Sequence, residues 1–182
     1  MAKTKVRAIP EGYHTATPYL CVRGALEAIA FYKKAFGAID QGEPLVGADG
    51  LVGHAQIKIG DSVIMLADEN PQWGNRSPRS LGGSPVTICL YVEDVDAAYA
   101  KAIAAGAIAK YPVADQFYGD RSGRLTDPNG YDWILASHRE DLTDAELKRR
   151  FEEFMRKMAA MAPATPKKDG ASEGGAKPKR AK

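Results

Sequence analysis

Cysteine is nearly missing from this chain: Cys21 and Cys89 are the only two, each lies inside an apolar run, and no CxxC pair exists. A disulfide framework is therefore excluded, and a reducing compartment is expected. Histidine is almost as scarce. His14, His54 and His138 are too far apart in sequence to form a local metal-binding cluster. Long hydrophobic runs are also lacking: no stretch approaches the roughly 18 apolar residues of a membrane span, and the start, MAKTKVRAIP, has no apolar signal-peptide core. A cytoplasmic protein is expected, with no membrane partner. An excess of one charge is missing too, since 25 basic and 23 acidic residues leave a formal charge of +2. That charge is uneven. From Pro163 onward six basic residues stand against two acidic ones, so the rest of the chain carries a net charge of −2. A slightly acidic body does not suit a nucleic-acid or membrane surface.

What the chain does contain is a repeat. Thr17-Pro-Tyr-Leu-Cys-Val22 leads into a helical pattern through Ile29, Phe31, Tyr32 and Phe36 that stops at Gly37-Ala38. Thr87-Ile-Cys-Leu-Tyr-Val92 leads into a second, through Val95, Ala98, Tyr99, Ala102 and Ile103, that stops at Gly106-Ala107. Each is an alternating strand followed by an amphipathic helix with a glycine at its C-terminal end. The last strands correspond as well: Ile64-Met-Leu-Ala67 aligns with Trp133-Ile-Leu-Ala136. Between helix and last strand there is room for two more strands. They are expected at Gln41–Leu45 and Leu51–Ile59 in the first unit, and near Ala109–Pro112 and Arg121–Thr126 in the second. Turns are expected at Gly47-Ala-Asp-Gly50 and, as a type I turn, at Asp127-Pro-Asn-Gly130. The fold class is α/β (α+β), built of paired βαβββ modules. Beyond Ser137, Asp141-Leu-Thr143 offers an N-cap, and Leu147, Phe151, Phe154, Met155 and Met158 keep helical spacing. One C-terminal helix is predicted from about Thr143 to Met161, with an apolar stripe that needs cover.

The repeated unit resembles the vicinal oxygen chelate superfamily, which includes glyoxalase I, bleomycin-resistance proteins, fosfomycin-resistance enzymes and extradiol dioxygenases. The residues carrying the resemblance are Ala28-Ile-Ala-Phe-Tyr32 with Phe36-Gly37, Val92-Glu-Asp-Val95, and Asp127-Pro-Asn-Gly130. Thr17-Pro-Tyr-Leu20, His54-Ala55 with Ile59-Gly-Asp-Ser62, and Asp115-Gln-Phe-Tyr-Gly-Asp-Arg121 look like its PhnB-like, glyoxalase-related branch, as do Ala136-Ser-His138 and Glu140-Asp-Leu142. The organisation expected on this basis is an extension over residues 1–12, a superfamily domain over 13–138 with modules at about 13–69 and 84–138, a helical segment over 139–162, and a disordered basic tail over 163–182. The resemblance also implies a cleft enclosed by the sheets and a homodimer.

Metal-dependent members of that superfamily carry one ligand at the start of each module's first strand and one in each last strand. The matching positions here are Thr17, Met65, Thr87 and Ile134. Two hydroxyls, a thioether and an alkyl group do not make a site for a divalent ion, which wants imidazole or carboxylate. No metal and no cofactor is expected. Strand alternation puts Thr17, Tyr19 and Cys21, Thr87, Cys89 and Tyr91, and His54, Gln56 and Lys58 on the cleft side.

The expected function is binding of a small, partly aromatic or polar molecule between the modules, without a metal. The ligand-binding candidates are Tyr19, His54, Gln56, Tyr91, Gln116, Tyr118, Asp120 and Arg121. Each has a plainer alternative: the tyrosines can be packing, and Asp120 and Arg121 can pair with each other. An alternative function is a glyoxalase-like lyase or isomerase with His54 as general base, or with an ion the sequence does not display; a hydrogen-bonded structural histidine is the plainer reading of His54. The two thiols read as inert core residues rather than nucleophiles. A second alternative is weak nucleic-acid association through the tail lysines.

Overall fold

The structure is a computed structural model that describes residues 6–161. The chain divides into two compact units at Leu142/Thr143. The basic tail expected from residue 163 lies outside the described residues.

In the first unit, β1 (Tyr19–Val22), α1 (Ala25–Phe36), β2 (Ile39–Asp40), β3 (Leu45–Val46), β4 (Val52–Ile59) and β5 (Ser62–Asp68) form one module. A 3-10 turn (Pro71–Trp73) and the short α2 (Pro78–Leu81) lead to a second module of β6 (Thr87–Tyr91), α3 (Val95–Ala105), β7 (Ile108–Asp115), β8 (Asp120–Thr126) and β9 (Asp132–His138). The sheets run β1-β5-β4-β2, with β3 also on β4, and β6-β9-β8-β7. In each, the first strand pairs in parallel with the last, placing Tyr19 opposite Met65 and Cys89 opposite Ile134. The register read from the repeat is the register of the fold.

Both major helices end as the sequence pattern requires. At the end of α1, Gly37 takes φ 71°, and its N–H and that of Ala38 bond Lys33 O and Tyr32 O. The start of α1 has no local cap. Asp68 at the end of β5 supplies one: its Oδ1 accepts from Gly24 N at 2.8 Å and Ala25 N at 2.9 Å, while Oδ2 accepts from Val52 N at 2.9 Å. One carboxylate thus fixes a helix start and the head of β4. For α3 the cap is local, with Asp94 Oδ1 accepting from Ala97 N at 3.0 Å.

The core joins the modules. Trp133 of β9 is fully buried against Phe36 and Tyr32 of α1, with ring centroids 4.6 and 5.6 Å away. Below them Asp127, 2% exposed, accepts from Tyr32 Oη (2.7 Å), Trp133 Nε1 (3.0 Å) and the backbone N–H of Asn129 and Tyr131. Burial pushes its carboxyl pKa up, and the four donors offset part of that cost. The Asp127–Gly130 turn closes with Gly130 N donating to Asp127 O at 3.0 Å. Its neighbour Tyr131 exchanges hydrogen bonds through Oη with the backbone N–H and O of Cys21.

Three expectations need correction. The strand predicted over Gln41–Leu45 is broken into β2 and β3, because Gly42 takes φ 87° and Pro44 has no N–H to give the ladder. The strand placed near Ala109–Pro112 extends over Ile108–Asp115; β7 is an edge strand with register shifts on both sides of Tyr111, which is where a proline fits. The 3-10 turn and α2 were not expected at all.

The second unit contains α4 (Asp144–Met161), capped by Thr143 Oγ1 accepting from Glu146 N at 3.3 Å. Its stripe of Leu147, Phe151, Phe154, Met155 and Met158 is more than one-third exposed in the single chain. Among the described residues no helix is long and apolar enough to cross a membrane.

Candidate functional site

On the open face of the first sheet, the β1/β5 and β4/β5 registers align Tyr19, Met65 and Gln56. His54 lies two residues along β4 on the same face. These side chains form a chain of hydrogen bonds. Tyr13 Oη donates to Gln56 Oε1, Gln56 Nε2 lies 2.8 Å from His54 Nε2, and His54 Nδ1 lies 2.9 Å from Tyr19 Oη. An amide nitrogen only donates, so His54 Nε2 is the acceptor and the ring proton sits on Nδ1, donating to Tyr19. The Tyr19 O–H proton is then left for a partner outside the chain. Tyr19 is 53% exposed.

Two cavities meet at Tyr19. The first, about 290 Å³, lies in the first module, bordered by Tyr19, Leu51, Val52, Ala67 and Asp68, by Asp49 of the β3–β4 turn, and by Glu69 and Trp73 after β5. The second, about 470 Å³, lies between the modules, with Pro18, Tyr19 and Leu20 on one side and Thr87, Ile88 and Tyr131 on the other; Arg76, Leu81 and Val86 of the connecting segment complete it. Its lining is mostly apolar.

The second sheet carries a different constellation. Asp120, 6% exposed, accepts from Tyr91 Oη at 2.8 Å and is paired with His138 Nδ1 at 2.7 Å; His138 Nε2 reaches Asp141 at 3.0 Å. The Asp120 hydrogen bond pushes the Tyr91 phenol up to about 12, and the two carboxylates raise the His138 pKa. Tyr91 is therefore a locked donor rather than a base, and both His138 nitrogens are occupied. Tyr118 Oη sits 3.3 Å from Ser122 Oγ, and Gln116 Nε2 donates to backbone carbonyls of Ala114 and Ser122. Arg121 does not pair with Asp120, because adjacent strand residues point to opposite faces. Its guanidinium grips Asp96 with two bonds of 2.8 Å and Asp115 with one of 3.1 Å.

The eight ligand-binding candidates thus fall into two groups. Tyr19, His54 and Gln56 come together beside the cavities; Tyr91, Gln116, Tyr118, Asp120 and Arg121 belong to the second sheet and are tied into its own contacts. Neither thiol is fully buried: Cys21 is half-buried and Cys89 exposed, and partial desolvation raises both pKa values, which keeps them protonated. The residues missed by sequence reasoning are Tyr13, Asp49, Trp73 and His138. A tryptophan inside the polar turn Asn70-Pro-Gln-Trp-Gly-Asn75 was the readable signal for one of them.

The four positions corresponding to superfamily metal ligands do not fit an ion. Thr17 Oγ1 donates to His14 O, Met65 lies between Tyr19 and Gln56, Thr87 Oγ1 accepts from Arg124 Nη2, and Ile134 lies between Cys89 and Arg124. Asp132, the register partner of Thr87, is engaged by Lys110, Arg124 and Thr126. Among the described residues no group of three or more His, Cys, Asp or Glu side chains could hold a metal ion.

Comparison with known proteins agrees with this architecture. The family described as Glyoxalase/Bleomycin resistance protein/Dioxygenase superfamily matches residues 13–135. An uncharacterized protein of Mycobacterium tuberculosis H37Rv is 46% identical over 122 residues, covering 65% of this chain and 71% of that one. The crystal structure of an Arabidopsis thaliana gene product is similar at 32% identity and TM-score 0.56, over 68% of this chain and 98% of that one. TioX from Micromonospora sp. ML1, at 21% identity and TM-score 0.53, shares the fold over 71% of this chain and all of its own. The PhnB protein from Bacillus cereus does so at 20% identity and TM-score 0.53, over 68% of this chain and 99% of its own.

Proposed function

The chain belongs to the Glyoxalase/Bleomycin resistance protein/Dioxygenase superfamily, and from that starting point we propose that it binds a small, partly aromatic or polar molecule on the first module's open face without a metal ion. One observation carries the reading. The chain Tyr13–Gln56–His54–Tyr19 ends in a half-exposed phenol whose proton is uncommitted, and that phenol borders both cavities. An aromatic ring with one oriented donor at a cavity mouth holds a ligand by stacking and a hydrogen bond. The donor chemistry of Thr17, Met65, Thr87 and Ile134 supports independence from a metal.

The same chain weakens the lyase reading. A general base needs a lone pair within reach of a substrate proton, and the His54 lone pair is taken by the Gln56 amide. A thermal-shift screen of aromatic metabolites and antibiotics tests the proposal. Hits are expected to raise Tm, and Tyr19→Phe to lower their affinity by about tenfold, the loss of one oriented hydrogen bond. Hits unaffected by Tyr19→Phe would move the site elsewhere. Stoichiometric nickel, zinc, iron or manganese in the purified protein, together with lactoylglutathione lyase activity, would replace binding by catalysis.

A further inference from the structure

The cavity of the first module has a distinctive chemistry. Asp49, Asp68 and Glu69 border it, and no lysine or arginine does. The carboxylates are held in place by protein hydrogen bonds. Asp49 accepts from Leu51 N; Asp68 accepts the three backbone donors at the starts of α1 and β4; Glu69 accepts from Ser77, Ser80 and Arg23. Arg23, which is not part of the lining, offsets part of the Glu69 charge. The hydrogen bonds from Ser80, Ser77 and Arg23 hold the Glu69 carboxyl down to about 2, so it stays ionised under all ordinary conditions.

Two aromatic side chains, Trp73 and Tyr19, also line the cavity. Trp73 is 75% exposed, an unusual position for the largest apolar side chain. It is held there by a turn that Asn70 closes twice, with its side chain accepting from Gln72 N and its backbone bonding that of Asn75. Tyr19 supplies a second ring to the same lining. Aromatic faces attract cations, the indole most strongly, and carboxylates nearby add a field of the same sense.

We propose that the first-module cavity selects an organic cation, an ammonium or guanidinium on a small apolar or aromatic body, received between Trp73 and Tyr19 under the field of Asp49, Asp68 and Glu69. This rests on the binding reading above and adds the charge of the ligand. The Tyr19 hydroxyl meets a hydrogen-bond acceptor elsewhere on the same molecule.

Three probes of one shape and different charge test it: choline, the neutral 3,3-dimethylbutan-1-ol and the anionic 3,3-dimethylbutanoate. Binding is read by tryptophan fluorescence of the full chain at low salt. Trp133 is fully buried, so Trp73 is the reporter, and the Trp73→Phe variant gives the background. Choline is expected to bind at least about tenfold tighter than the neutral probe, and the anion not at all. Asp49→Asn is expected to cut choline affinity severalfold, and isothermal titration of Trp73→Ala to show it lost; neither residue lies in the core, and unchanged Tm of both variants confirms folding. Equal affinity for choline and the neutral probe overturns the charge inference while leaving the binding reading intact. Preference for the anion, or no binding by any of the three, overturns it as well, and the binding reading then stands or falls on the Tyr19→Phe comparison alone.

Discussion

His138 shows how far one residue's role depends on what folding brings to it. Of its two ring partners, Asp141 is near it in sequence, while Asp120 arrives from the neighbouring strand, directly opposite it in the β8/β9 register. Both ring nitrogens face carboxylates, an arrangement complete only for the imidazolium. The raised folded-state pKa carries a definite sign for stability. The contribution is fully present below the unfolded value, about 6.5, and is lost as pH rises through the folded-state value. Urea denaturation across this range should therefore show a fall in stability above pH about 6.5 that His138→Gln lacks. An identical slope in both proteins would show that the pair contributes nothing. Tyr91, Asp120 and Arg121 carry a related lesson. Each was readable as a ligand contact by residue type, yet alternation along β8 sends Asp120 and Arg121 to different faces, where both find protein partners. Residue type gave the candidates, and strand geometry sorted them.

At the scale of elements, most of the architecture was legible because it is periodic. The strand–helix–glycine pattern was present twice, and the Met65/Ile134 correspondence fell on the observed register. What was not legible lacked periodicity. The Gln41–Leu45 strand failed at Gly42 and Pro44, and the turn presenting Trp73 is made by Asn70 hydrogen bonds rather than by a hydrophobic pattern. The start of α1 also escaped local reading, since its cap comes from Asp68, a residue at the end of another strand. Replacing Asp68 by Ala leaves three backbone donors without their carboxylate and is expected to cost about 2–3 kcal/mol, a lost cap together with one further hydrogen bond. Chemical denaturation measures it. A loss below about 0.5 kcal/mol would mean that water replaces the carboxylate without cost.

Across the first unit as a whole, the Asp127 turn joins the two modules. Tyr32 and Trp133 donate to one buried carboxylate, while Tyr131 bonds the backbone of Cys21 in β1. The same strand β1 carries Tyr19, so the clamp between modules also positions the edge shared by both cavities. This link was half visible in the sequence: Asp127-Pro-Asn-Gly130 read as a turn, but one partner of its carboxylate, Tyr32, comes from a helix in the other module. The placement of the site on the first sheet is what the functional account depends on. The most direct measurement is an amide NMR titration of the full chain with the compound that raises Tm most. Shifts concentrated at Tyr19, Gly53, His54, Gln56 and Ala67 are the predicted result. Shifts confined to Cys89, Tyr91, Asp120 and their neighbours on the second sheet would contradict it.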